Sequence, residues 1–404
     1  MRKSLWIIPV LFAAIEMPAK LASPLRRITF LVVVALTFSL LQAPRSLADS
    51  VYTQTNLVSN SSATPANFTD PNLINPWGLV SNGGSPFWAS DQGTGLSTLY
   101  STPPGSPLGL VVSVPSVGTP PNVGPTGIVA NTAGFNVAGS PAAFIFATLD
   151  GTIAGWNGTP TLTHAVTEAT VPGAVFTGLA EASNSSGTFL YASDFRNGKI
   201  DVFNSSYAAV SLTGSFTDPN LPAGYSPYNI TEVDGKLYVE YAPKGSNGLP
   251  VVGPGNGVVD VFDTNGNFVK RLISSGGELN VPWGVAAAPS GFGEFGGDLL
   301  VGNFGNGWIN AFNPVSGAFV GTLDLTNGMP FAEPALWTLD FGIGGSGGSP
   351  DVLYFTSGLS LAQTGGLFGS ISTTPEPATL TLLGSGLIGI LGLRRRSGRM
   401  SAYR

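Results

Sequence analysis

VPWGVAAAP (Val281 to Pro289), followed by GDLLVGNFGNGWINAFNPVSGAFVGTL (Gly297 to Leu323), carries four short apolar runs separated by turns. Trp283-Gly284 opens the first run, Asn303 closes the second, Gly-Asn-Gly makes the next turn and Phe312 ends the third. Short apolar runs bounded by Gly, Pro and Asn are strand signals, and regular punctuation of this kind means hairpins rather than disorder.

The same unit recurs along the chain. NPWGLV (Asn75 to Val80) leads to FWASDQGTGLSTLY, GPTGIVA (Gly124 to Ala130) to AFIFATLDGTIAGW, and FTGLAEA (Phe176 to Ala182) to FLYASDFRNGKIDVF. Two looser copies follow: SPYNITEVDGKLYVEYA (Ser226 to Ala242) reaches GVVDVFDTNGNFVKRL after an insertion, and ALWTLDFG (Ala335 to Gly342) leads to DVLYFTSG and GGLFGSIS. The anchors Gly78, Gly127, Gly178, Asn229 and Gly284 are 49, 51, 51 and 55 residues apart. A period near 50 built of four short strands marks a β-propeller, whose blades bury both faces only when neighbours stack on them. Sandwich modules need about 90 to 100 residues each, too many for this period.

Six blades fit residues 49–372. The last shows three strands, Trp337 to Phe341, Val352 to Ser357 and Leu367 to Ser372, so Tyr52 to Val58 is expected to pair with Leu367 to Ser372 as its outermost strand and close the ring. Aromatic-glycine turns, with S-D or G-N after the second strand, resemble NHL and related six-bladed propellers. From NPWGLV to GLFGSIS the chain is similar to an uncharacterised family of exported bacterial proteins. That resemblance implies a propeller and export, and no established activity.

Near the C-terminus, Pro375-Glu376-Pro377 precedes a mostly apolar run from Ala378 to Leu393 and then Arg394, Arg395 and Arg396. An apolar run of about 24 Å as helix suits a hydrocarbon interior, and the arginines resist translocation. The segment resembles the PEP-CTERM sorting signal. The resemblance implies a sorting tail over 373–404 with a transmembrane helix at 378–393, insertion in the inner membrane until processing, an exosortase-type membrane protease as partner, and a final location in the cell envelope or outside it. At the other end, Arg26 and Arg27 precede the apolar run Ile28 to Leu41, and Ser46-Leu47-Ala48 gives a small-residue cleavage site before Asp49. Residues 1–48 are thus expected to be a signal peptide; Met17 offers a start that leaves an n-region of ordinary length.

Charge narrows the partners. Between residues 49 and 375 stand six Lys and Arg (Arg196, Lys199, Lys236, Lys244, Lys270, Arg271) against 21 Asp and Glu, a net charge near −15. Such a surface repels phosphate backbones, which argues against nucleic acid and for neutral or cationic partners. With no cysteine, disulfides and thiolate metal sites are excluded, and stability must come from a large core.

Candidate chemistry is sparse. Asp263-Thr264-Asn265-Gly266-Asn267 has oxygen side chains at alternate positions, but Phe268 and Ser274 stand where a calcium loop needs glycine and a bidentate acid, so a hairpin turn with both Asn265 and Gly266 at positive φ is expected. His164, the sole histidine, has no nucleophile frame beside it and is read as a surface residue. Asp91, Asp194 and Asn303 follow the second strand of the first, third and fifth blades, with Thr148 equivalent in the second. Either they are turn residues or, with Glu181 and Asn229 and extended by Asp340 and Glu333, they form an oxygen-rich rim. Calcium-dependent lactonases on related propellers use such a set, which would imply calcium here. Trp77, Trp283 and Trp337, with Tyr228 and Phe176, sit at or beside the innermost strand, either as packing between blades or as stacking platforms for sugar.

Two functions follow. One is an exported, non-catalytic propeller that binds in the envelope or matrix, with exopolysaccharide or another envelope protein as partner. The alternative is a metal-dependent propeller lactonase or lyase with an acidic axial site.

Overall fold

The computed structural model describes residues 51–120 and 123–374. The expected signal peptide, its cleavage site and the sorting motif from Pro375 to Arg396, with its helix, lie outside them. Among the described residues no helix is long and apolar enough to cross a membrane.

Among the described residues six sheets form the blades, each an antiparallel meander from the inside outwards, and Asn136–Val137 with Ser140–Pro141 makes a small two-stranded ribbon beside them. Their innermost strands are Pro76–Val80, Pro125–Ala130, Phe176–Asn184, Tyr225–Val233, Pro282–Ala287 and Leu336–Phe341, which define blades one to six. Strand faces alternate, yet both are apolar. In Phe144–Thr148 of blade two, Phe144 and Phe146 pack toward blade one with Trp88 and Leu99, while Ile145 and Ala147 pack toward blade three with Phe176 and Leu190. A strand sandwiched on both sides has no solvent face, which is why FIFA shows no polar alternation.

Blade six closes the ring as its missing strand requires. Val51–Ser59 runs antiparallel to Leu367–Thr374, with Tyr52 opposite Thr373, Val58 opposite Phe368 and a bulge between Asn56 and Val58. A further short strand, Phe68–Thr69, adds in parallel on the outside and makes this sheet five-stranded. Tyr52 anchors the closure. Its ring stacks on Phe295 with centroids 5.8 Å apart, and its hydroxyl donates to the Phe292 carbonyl at 3.1 Å, tying the strand into blade five.

Between Asp263 and Asn267 the turn differs from the two-residue form. Gly266 has φ 80° and Asn265 is not among the positive-φ residues, because the Asp263 carboxylate accepts the backbone N–H of both Asn265 and Asn267 at 2.9 Å and opens a longer loop. Its oxygens are engaged by the loop itself. The loop also packs outward, receiving the N–H of Gly214 and Phe216 on the Asn265 and Gly266 carbonyls.

The six innermost strands share an irregularity at one level. Each breaks register with its neighbour beside the aromatic-glycine position, for example between Pro76 and Leu79 and between Pro282 and Val285. The glycines there are required by close approach: a Cβ on Gly78 would lie 2.6 Å from the Thr126 carbonyl oxygen, and Gly127, Gly178 and Gly284 are tighter still against the next blade. Bulges free carbonyls from the ladder. Side chains of other blades take them: Thr126 donates to Phe176 O at 2.8 Å, Asn229 to Trp283 O at 2.7 Å and Thr338 to Trp77 O at 2.7 Å.

Candidate functional site

At that level the axis changes character. On the side where the innermost strands begin, Trp77, Phe195, Tyr228, Trp283, Phe304 and Trp337 meet in one cluster. Trp77 and Trp283 lie edge to face at 6.1 Å, and Phe304 packs on Trp337 at 4.6 Å. The two blade-end rings, Trp77 and Trp337, also stack. Of the buried indole nitrogens, Trp337 donates to Asn75 Oδ1 at 3.0 Å and Trp283 to Thr177 O at 2.9 Å, while Trp77 Nε1 is buried without a partner. Trp77, Trp283 and Trp337 are 4%, 4% and 0% exposed. Their faces cover one another and plug the axis, so burial favours packing over sugar stacking for these three rings. Phe176 is buried elsewhere, between blades two and three.

Beyond the plug opens a cavity of about 480 Å³ lined by all six innermost strands. Its walls are largely aliphatic, with Leu79, Ile128, Val285 and Leu339 among them, and its polar side chains are Thr132, Glu181, Asn229, Thr231, Glu232, Asp234 and Thr338, with Asp340 opposite. No Lys, Arg or His is among the described lining residues.

The expected rim is divided by strand direction. Second strands run antiparallel to innermost ones, so Asp91 pairs with Pro76, Asp194 with Phe176 and Asn303 with Pro282, at the plugged end. Asp194 there accepts the N–H of Val175 at 3.1 Å and Asn197 at 3.2 Å, and Asn303 accepts that of Asn280 at 2.8 Å. These are turn-holding roles. Thr148 does the same for the N–H of Thr152 at 3.0 Å. Asp91 is wholly buried, facing the Asp70–Tyr100 pair, and burial pushes its carboxyl well above the usual range. Glu333 lies apart too, accepting from Gln54 at 2.6 Å.

Glu181, Asn229 and Asp340 do reach the cavity. Glu181 Oε1 accepts both the backbone N–H and the hydroxyl of Thr132, at 2.7 and 2.6 Å, while Oε2 is buried without a hydrogen-bond partner. Burial raises its carboxyl above the ordinary range against the opposing effect of Thr132 and the Ala133 backbone. Asp340 is half-buried at the cavity wall; burial raises it to about 7, with only the Phe341 backbone opposing. Among the described residues no three His, Cys, Asp or Glu gather as a metal site. The residues proposed as calcium ligands therefore do not fit one ion, because the fold sets Asp91, Asp194 and Asn303 at the plugged end and Glu181 and Asn229 at the cavity. Sequence reading gave Asp340 only a supporting place, and its signal was plain: an acid one residue before the end of an apolar innermost strand.

His164 is exposed, its Nδ1 paired with the Thr163 hydroxyl at 2.9 Å. Among the described residues' ion pairs, the half-buried Arg271 bonds the buried Asp218 and stands 3.6 Å from Asp260, between blades three and four and away from the axis.

Comparison with known proteins gives three findings. The PEP-CTERM protein-sorting motif matches residues 373–396. The uncharacterized proteins R648 and L690 of Acanthamoeba polyphaga mimivirus are 35% and 34% identical over 291 residues, covering 68% of this chain and 70% and 74% of theirs. A structural genomics protein of unknown function from Bacteroides thetaiotaomicron superimposes with a TM-score of 0.50 and 12% identity, over 80% of this chain and 76% of that one, which is a likeness of fold.

Proposed function

This chain belongs to the family of the mimivirus proteins R648 and L690, carries a PEP-CTERM signal for export and exosortase processing, and within that frame we propose that it is a non-catalytic binding protein of the cell envelope or its matrix. One observation carries the reading. The axial cavity, the natural place for a ligand in a concave, largely preformed site, has four acids and no Ser, Cys, His or Lys among its described lining residues. Among the described lining residues only Thr132 sets a hydroxyl against a carboxylate, Glu181 at 2.6 Å, and no hydrogen bond joins two of the four acids, whereas general acid–base work needs paired groups within hydrogen-bond reach of one reacting atom. Here the acids stand on blades three, four and six, with only Glu232 and Asp234 sharing one. Exopolysaccharide, or another envelope protein presenting a side chain to the cavity, is the proposed partner. Removal of residues 1–48 as a signal peptide and membrane insertion through 378–393 are part of the same proposal, supported by the sorting motif.

The test is turnover. The purified protein is offered lactones and polysaccharide lyase substrates with calcium present, and no product is expected. Activity that disappears in Glu181→Ala or Asp194→Ala replaces the binding reading with the enzyme one.

A further inference from the structure

The polar groups of the cavity differ in kind, and the difference selects the ligand. The free edges of the six innermost strands offer N–H and C=O groups in alternation, and so favour neither donors nor acceptors. Side chains decide. Nearly every side-chain donor in the lining is already engaged: Thr132 on Glu181, Asn229 on Trp283 O, Thr338 on Trp77 O and Trp283 Nε1 on Thr177 O. The Thr231 hydroxyl alone remains, and it accepts from Asn229 at 3.3 Å. The acceptors are mostly free: Glu181 Oε2 is buried with no partner, and no side-chain donor reaches Asp340.

Glu181 and Asp340 stand on blades three and six, opposite positions in a ring of six. A ligand that fits must bring N–H donors and positive charge to two walls while its carbon body meets aliphatic side chains. We infer that the axial cavity binds a small organic amine, an alkylammonium or a diamine of similar size, whose ammonium groups donate to Asp340 and Glu181. The inference rests on the binding-protein reading and names its ligand class. A neutral sugar leaves both carboxylates without a counter-charge, and an anion is repelled by all four acids. Charge-assisted hydrogen bonds to half-buried carboxylates supply the strength.

Proton release is coupled to this binding. Facing Asp340 across the cavity are Glu181, Glu232 and Asp234, with no cation among the described lining residues, so an ammonium must find Asp340 ionised. With a carboxyl that titrates at about 7, affinity is expected to rise about tenfold between pH 6 and pH 8.

The experiment is calorimetric titration of the full chain in detergent with putrescine, tetramethylammonium and glucose at pH 6 and 8. Putrescine is expected to bind, more tightly at pH 8. Asp340→Asn is expected to lose about tenfold or more in affinity and the pH dependence with it, and Glu181→Gln to weaken binding while the pH dependence persists. Tetramethylammonium, which has charge but no N–H, should bind far more weakly. Circular dichroism and thermal melts confirm that both variants stay folded. Equal putrescine affinity in wild type and Asp340→Asn, or no binding of putrescine, overturns the inference. If glucose binds and putrescine does not, the ligand class falls and the binding reading stands; if substrates are turned over in the parallel assay, it is the binding reading that falls.

Discussion

Trp77 of the first blade and Trp337 of the last lie with ring centroids 3.7 Å apart and planes 19° from parallel. The seam of the ring is thus joined at its axis as well as at its rim, and the Thr338 and Thr356 hydroxyls bond the Trp77 carbonyl at 2.7 and 2.9 Å across the same seam. Trp337→Ala removes the centre of the plug, and a cost of about 3 to 5 kcal/mol is expected. Urea unfolding measures it. A midpoint within error of wild type would mean that the plug relaxes without consequence.

Closure at the rim depends on Tyr52. Tyr52→Phe keeps the stack on Phe295 and loses the bond to Phe292 O, for an expected loss of about 1 kcal/mol, whereas Tyr52→Ala should lose about 3 kcal/mol or more. If the alanine variant melts with wild type, the N-terminal strand does not hold the ring.

Several buried carboxyls sit above their ordinary range for the same reason, burial: Asp91 and Glu240 well above, Asp260 at about 8 and Asp340 at about 7. Each is protonated in the folded state over a range where the unfolded chain has released its proton. Stability from these groups is therefore complete below the unfolded values and is lost as pH rises through 7 and then 8. Thermal melts at pH 5.5 and 9 should show the higher midpoint at pH 5.5, and Asp260→Asn should flatten the upper part of the curve. A midpoint that climbs with pH over this window contradicts the assignment.

Arg271 is the cation for two buried acids, Asp218 and Asp260. Removing one partner of a buried pair leaves uncompensated charge, so Arg271→Met should cost about 3 to 5 kcal/mol, and adding Asp218→Leu should recover part of it. Additive losses in that cycle would show that the two side chains act independently.

The sorting motif gives a cellular prediction. Glu376→Gln should leave the tail attached, and mass spectrometry of protein recovered from the envelope should then find Arg404. An intact wild-type tail in a cell with an active exosortase would refute processing.

Most of the architecture was legible because it repeats. Gly78, Gly127, Gly178 and Gly284 mark the close approach of neighbouring blades, and a constraint imposed many times writes itself many times into the sequence. Closure by residues 52–58 was visible for a complementary reason, a blade that lacked a strand. The site was harder to read. Repeat equivalence grouped Asp91, Asp194 and Asn303, and Glu181 and Asn229 were joined to them as one rim, but equivalence says nothing about which end of a strand faces a channel. Asp340 has no acidic counterpart in the other blades and Glu181 only Glu232, and the engagement of Thr132, Asn229 and Thr338 with neighbours depends on register breaks that period alone does not reveal.

Val51 pairs with Thr374, the last described residue before Pro375. A pull on the tail therefore enters the sheet through a strand flanked on both sides, by Val51–Ser59 and by Leu353–Ser357. Had the ring been left open, that strand would be an edge, and one ladder of hydrogen bonds would carry the whole load. With the N-terminal strand in place two ladders share the force, so the segment laid down first in the chain reinforces the mooring point of the segment laid down last.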